Sequence, residues 1–489
     1  MYLYTITRKG VSMVEMIIDS TIIILYFLGM IGVGYWGYRR SETLEDYFVA
    51  GRNIPLWMYV PVMSAIILGG ASTVGGGGLG YEYGVSGAWL VIWLGAGIAV
   101  IGVLISTDLV NLGAYTLGDV LERRFDEYSG TVGALIAGVY ALTIAITQII
   151  AIGTALNALF DVGLTLMIVT AGVIVVVYTA LGGMLSVTIT DFVQWFIMTV
   201  GVFLLALPLG LIEVGGVSGL SAELDPSFFS PTGIGVSTII SYFLLYFLGI
   251  MIGQDIWQRV FTADSPRTAR LGNIATGVYA VVYGVATAVL GMIALVLFPT
   301  LENPDMALPL MVLEIIPVGL SGLILAGFIS AMMSTADSAL LASSTLFTND
   351  VYKRFVNPDA SDKRYTRISR LLIFVLGIGA TATAVWIGDV VAALTLAYNL
   401  LVGAIFIPIL GAFFWNRATW QGALSSIIIS NTAVVLGMGY YGFQSDLPII
   451  IGLVTSLAIF VSVSLLTDPP SSDKVDQWLT STEDTPQLD

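Results

Sequence analysis

Thirteen apolar runs, a charged fraction of only 10% and a mean hydropathy of +0.93 predict an all-α protein that crosses a membrane many times. With 57% of its 489 residues hydrophobic, the chain carries more apolar surface than one soluble core could hide, so the bilayer must act as solvent.

A spanning helix needs about 20 mostly apolar residues. Runs that meet this need fall at 17–38, 56–80, 85–106, 132–159, 164–181, 192–211, 234–254, 275–298, 319–346, 371–387, 390–415, 420–441 and 447–466. The first is longer than the apolar stretch of a signal peptide and has no small-residue cleavage site behind it, so it reads as a retained helix. Residues 1–16 read as an N-terminal tail and 17–466 as the membrane domain. From Asp-Pro-Pro-Ser-Ser-Asp onward, 467–489 is too polar to bury apolar surface and reads as a disordered cytoplasmic tail.

An odd number of spans puts the termini on opposite sides. With the C-terminus in the cytoplasm, 16 of the 18 Lys and Arg fall in cytoplasmic segments, Arg40, Arg124 and Arg259 among them, and the other two, Arg8 and Lys9, lie in the N-terminal tail. This asymmetry predicts a multi-pass plasma-membrane protein with its N-terminus outside.

Composition excludes whole classes of function. The absence of Cys and His removes disulfides, thiolate and imidazole metal sites, Ser-His catalytic pairs and histidine relays, so a bound ion must be held by oxygen. A net charge of -15 without basic clusters argues against nucleic acid. No enzymatic constellation, organic cofactor or protein partner is indicated beyond the lipid bilayer.

Glycine interrupts two spans, in GGASTVGGGGLGY at 69–81 and GIMIGQDIWQR at 249–259. Seven glycines between Gly69 and Gly80, each about 1 kcal/mol worse than alanine in a helix, favour unwinding. Unwound backbone offers carbonyl oxygens to a cation, and half-helix ends aim their dipoles at a solute. The two broken spans are the second and seventh, which suits two five-helix units, spans 2–6 and 7–11, of inverted topology.

In the ninth span, Ala331, Ser334, Thr335 and Ser338 recur at i, i+3, i+4 and i+7 and share one helix face. Hydroxyls on successive turns beside a loosened carbonyl can coordinate a small cation, while bonding to carbonyls of the same helix accounts for them equally well. Asp337 lies in the same span. Asp191 opens the sixth span, where N-capping is an equal alternative to an ion-path role.

Four stretches, EDYFVAGRNIP, YTALGGMLSVTITDFVQ, QRVFTADSPRTAR and AMMSTADSALLASSTLFTNDVYK, resemble the sodium:solute symporter family, with the likeness running from about residue 20 to 466. The resemblance implies a leucine-transporter-like fold, a 5+5 inverted repeat with one extra helix before it and two after, in keeping with thirteen spans. It implies a main sodium site made by the carbonyls of Ala65, Leu68 and Ala331 and the hydroxyls of Ser334 and Thr335, and a second cation site at Asp191, Ser334, Asp337 and Ser338. Candidate solute-binding residues are Ser72, Thr73, Tyr140, Gln148, Tyr246 and Asn399, each of which ordinary interhelix packing also explains. Ile67 stands where some members carry aspartate, so the solute is not carried over by likeness. The implied function is sodium-coupled uptake of a small polar organic solute by alternating access, with Na+ as coupling ion. Two alternatives are proton coupling through Asp191 or Asp337, and a membrane solute sensor, against which the lack of a histidine to phosphorylate counts.

Overall fold

The computed structural model describes residues 13–39, 43–160, 162–443 and 445–482; among them there is no strand, only an isolated bridge between Ile54 and Ala263. Arg8, Lys9 and Arg40 lie outside the described residues. The principal helices are α1 (Met13–Tyr38), α2 (Leu56–Ile67), α3 (Gly76–Tyr83), α4 (Trp89–Leu104), α5 (Glu127–Phe160) and α6 (Leu164–Thr199). They continue as α7 (Val236–Ile250), α8 (Gln254–Val260), α9 (Pro266–Leu297), α10 (Leu320–Leu346) and α11 (Asp362–Ile387). The last are α12 (Val390–Phe414), α13 (Trp420–Tyr441), α14 (Leu447–Leu466) and α15 (Ser472–Thr482).

Among the described residues nine helices are long and apolar enough to cross a membrane, and ten if the pair α7 and α8, bent by 45°, forms one broken span. Shorter apolar helices at Ile17–Val33, Leu56–Ile67 and Leu164–Ala180 add to these.

Both glycine-rich segments break their helices. Regular helix stops at Ile67, resumes as a π turn over Ala71–Gly75, and runs on into α3. The chain then folds back at Gly84, whose φ of +65° suits glycine, and an added Cβ at Gly87 would strike the backbone of Leu79 and Gly80. The second break falls between Ile250 and Gln254.

α9 meets α3 and α4 backbone to backbone. A Cβ at Gly277 would lie 2.4 Å from the Gly95 carbonyl oxygen, and one at Gly95 would lie 2.7 Å from that of Gly277. Such close approach through small residues gains dispersion energy that larger side chains would forfeit. α10 is the central column: of its most apolar 18-residue window, 94% is buried, and it packs against α5 and α6.

Three expectations are corrected here. The sixth span begins at Gly183, not at 192: Gly183 has φ +70°, and a Cβ there would sit 2.5 Å from the ring of Tyr47. Asp191 therefore lies two turns inside a helix and is not its N-cap; the polar run Ser186, Thr188, Thr190 hid the extra turns, although all three are buried. Arg259 and Arg124, placed in cytoplasmic segments, are only 1% and 2% exposed. Part of the tail expected to be disordered forms α15, because Trp478 and Leu479 give this polar segment a local apolar stripe. Trp478 is buried with its ring 5.5 Å from that of Phe413, and Lys474 donates to the carbonyl of Phe125.

Candidate cation and solute site

The break after α2 leaves four successive carbonyls without the amide partners a continuing helix would give them. Each accepts a side-chain hydroxyl instead. Ser334 donates to Ala65 at 2.8 Å, Thr335 to Ile66 at 2.6 Å, Ser72 to Ile67 at 2.8 Å and Thr73 to Leu68 at 2.9 Å. Ser334 and Thr335 also lie 2.8 and 3.2 Å from the Ala331 carbonyl of their own helix. Helix spacing aligns the α10 hydroxyls, and glycine unwinding brings the α2 carbonyls to them.

The result is a cluster of five neutral oxygens: the carbonyls of Ala65, Ile66 and Ala331 and the hydroxyls of Ser334 and Thr335. Hard, uncharged ligands suit a monovalent alkali cation; divalent ions in proteins usually draw carboxylates. Of the residues expected to hold sodium, the structure brings together Ala65, Ala331, Ser334 and Thr335. The Leu68 carbonyl faces Thr73 instead, and Ile66 meets Thr335.

Glycine is required beside this cluster. A Cβ at Gly69 would lie 2.4 Å from Thr335 Oγ1 and 2.6 Å from Gln148 Oε1, and one at Gly70 would lie 2.2 Å from Ala151 Cβ. The Gly70 amide donates to Gln148 Oε1, which ties the unwound segment to α5.

Next to the cluster is a cavity of about 30 Å³, lined among others by Ser72, Gln148, Asp255, Thr335 and Tyr398. In this conformation that volume holds about one water, so an organic solute enters only when the cavity widens. Of the predicted solute residues, Ser72 and Gln148 line it. Tyr140 stands behind Asp255, its hydroxyl donating to Oδ1 at 3.3 Å, and Tyr246 reaches it through Tyr398, ring centroids 5.6 Å apart. Thr73 turns to the hydroxyl of Tyr283 at 2.9 Å, and Asn399 is away from the cavity, donating to the Ser445 carbonyl.

The second acidic group also assembles, around a cation from the chain itself. Arg259 Nη2 lies 2.6 Å from Asp191 Oδ2, the two side chains being 1% and 0% exposed, and it also donates to Ser338 Oγ. Ser338 in turn donates to the Ser334 carbonyl at 2.6 Å and lies 3.2 Å from Asp337 Oδ1. Asp191 Oδ1 and Asp337 Oδ2 are buried without hydrogen-bond partners. Asp191 thus pairs with the guanidinium directly, and Asp337 is linked to it through Ser338.

A family model described as "Sodium:solute symporter family" matches residues 47–430. The chain belongs to this family. Among curated relatives, this symporter-family chain is 26% identical to the sodium/glucose cotransporter of Vibrio parahaemolyticus, over 84% of this chain and 83% of the relative. It is 28% identical to the high-affinity proline transporter PutP of Bacillus subtilis (strain 168), over 92% and 98%. Its fold matches a solved Na+-coupled sialic acid symporter, captured substrate-bound and outward-open, with a TM-score of 0.77 at 21% identity, over 93% of this chain and 99% of that one.

Sequence reasoning assigned no site role to two residues of this family member. Asp255 and Arg259 both sit in the glycine-broken GIMIGQDIWQR stretch, where an acid inside an interrupted span could have drawn notice. The partner of Arg259 lies 68 residues away, which no local pattern gives.

Proposed function

We propose that this chain is a secondary active transporter that couples inward sodium movement to uptake of a small polar organic solute by alternating access. The observation that carries this reading is the donation of Ser334 and Thr335 to the carbonyls of Ala65 and Ile66, which joins an unwound helix to a hydroxyl-bearing one around five neutral oxygens. Sodium seated there would bind both segments and order the broken helix for solute, so coupling is a difference in affinity between conformations. Entry of one sodium across 100 mV supplies about 2.3 kcal/mol before any concentration gradient is counted.

The architecture that fits this reading has thirteen spans, with spans 2–6 and 7–11 as the inverted repeat, in the plasma membrane with the N-terminus outside. The second cation site at Asp191, Asp337 and Ser338 belongs to the same proposal, with Arg259 as the resident counter-charge a further cation would have to displace or share. Ser72 and Gln148 are the solute contacts the cavity supports best, with Tyr140 and Tyr246 behind them.

Sodium-dependent thermal stabilisation of the purified protein, followed by uptake into proteoliposomes with an imposed sodium gradient, tests the proposal. Uptake that persists without sodium and collapses with a protonophore would replace it with proton coupling through Asp191 or Asp337. Binding without uptake would favour a sensor.

A further inference from the structure

Asp255 sits in the first turn of α8, just beyond the second helix break, and its side chain lines the cavity while being only 4% exposed. Among the described residues no Lys or Arg forms an ion pair with it. Arg259, one turn further along, is held by Asp191. A buried carboxylate without a counter-charge is unfavourable by several kcal/mol, a penalty that a cationic ligand would remove.

The neighbours of Asp255 suit such a ligand. Tyr140 donates its hydroxyl to Oδ1, and its ring lies 5.5 Å from that of Tyr398, which lines the cavity beside Asp255. The ring of Tyr246 meets Tyr398 edge-on at 5.6 Å. A carboxylate attracts an ammonium group by charge, and an aromatic ring beside it adds the attraction of its quadrupole where the cation reaches the ring face. Nothing else lining the cavity is charged, and the sodium oxygens are themselves neutral.

We propose that Asp255, with the ring of Tyr398 and the hydroxyl of Tyr140, forms an ammonium subsite of the solute cavity, so that the transported solute is a small amine or quaternary ammonium compound, cationic or zwitterionic. This rests on the reading of the cavity as the solute path of a sodium symporter. Asp255 is then the specificity-determining residue, and it keeps the positive group of the solute apart from sodium, which binds on the Thr335 side of the same cavity.

The test is thermal unfolding of the purified full chain in sodium and in potassium, with choline, glycine betaine and L-proline as ammonium probes and D-glucose and pyruvate as probes without one. At least one ammonium probe should raise the unfolding midpoint in sodium and not in potassium. In Asp255→Asn its half-saturating concentration should rise at least tenfold, whereas Asp255→Glu should keep most of the response. The shift produced by sodium alone, measured in every variant, reports that the protein is folded and its main site intact. Silence of all three ammonium probes, or an equal response in Asp255→Asn, overturns the subsite. A parent protein that sodium fails to stabilise would instead overturn the symport reading beneath it.

Discussion

Thr335 and Ile66 are 269 residues apart in sequence, and the threonine hydroxyl donates to the isoleucine carbonyl at 2.6 Å. Ser334 makes the same crossing to Ala65. Each hydroxyl also touches the Ala331 carbonyl, so two side chains knit three backbone oxygens from two helices into one cluster. A cation entering it would take the hydroxyl lone pairs and carbonyls that now bond to one another.

Replacing both hydroxyls removes two of the five oxygens. At about 1 kcal/mol for each lost polar contact, Ser334→Ala with Thr335→Ala should weaken apparent sodium affinity by about tenfold or more. The protein should remain inserted and monodisperse. Sodium titration of the unfolding midpoint measures the change, and an unaltered half-saturation point would remove these residues from the site.

Gly69→Ala should abolish sodium stabilisation without unfolding the protein. Its new methyl carbon would fall 2.4 Å from Thr335 Oγ1 and 2.6 Å from Gln148 Oε1, both movable side-chain ends at the oxygen cluster. Gly32→Ala is the matched control, since a Cβ there meets nothing within 4 Å; it should be neutral or slightly stabilising, by up to about 1 kcal/mol. Equal sodium responses in the two variants would contradict the assignment.

Removing one partner of the Arg259–Asp191 pair leaves a buried charge uncompensated. Arg259→Gln should therefore destabilise the protein by about 3 to 5 kcal/mol, and adding Asp191→Asn should recover a large part of that loss. A double-mutant cycle on detergent unfolding gives the coupling directly; strictly additive effects would show that the pair contributes no interaction of its own.

A pH effect should arise outside the membrane-spanning segments, at Asp305 in the turn Pro304–Met306. Burial, and then the carboxylates of Asp389 and Glu82, push its pKa up to about 7. An acid whose folded pKa exceeds its unfolded value near 3.9 holds more protons folded than unfolded between the two. Its contribution to stability therefore declines as pH rises from about 4 to about 7 and is level above that. Asp305→Asn should flatten this segment of the stability curve, read as unfolding midpoints across the range, while an identical slope in both proteins would place the titration elsewhere.

Much of this architecture is legible in the sequence because membrane helices announce themselves by length and hydrophobicity, and because Ser334, Thr335 and Ser338 fall at helix spacing. The glycine run at 69–80 marks the break, although which carbonyl meets which hydroxyl depends on how far the helix unwinds: Ile66 rather than Leu68 meets Thr335. The start of the sixth span is obscured because buried hydroxyls in α6 satisfy themselves within the helix, Thr188 on Met184 and Thr190 on Ser186, and so make a membrane segment look polar. Arg259 counts in the sequence only as one of the cytoplasmic charges, because its carboxylate partner is brought to it by tertiary packing.

The contact between α3 and α9 has a mechanical consequence. A Cβ at Gly80 would sit 2.3 Å from the Ala288 carbonyl oxygen, and one at Gly291 would sit 2.1 Å from that of Gly77, so the two backbones touch with no side chain between them. Bare main chains pressed together cannot slide by rotamer changes, and the far half of the broken helix travels with α9 as one body. Whatever motion widens the cavity must then be taken up near residues 68–70, where the regular helix is interrupted.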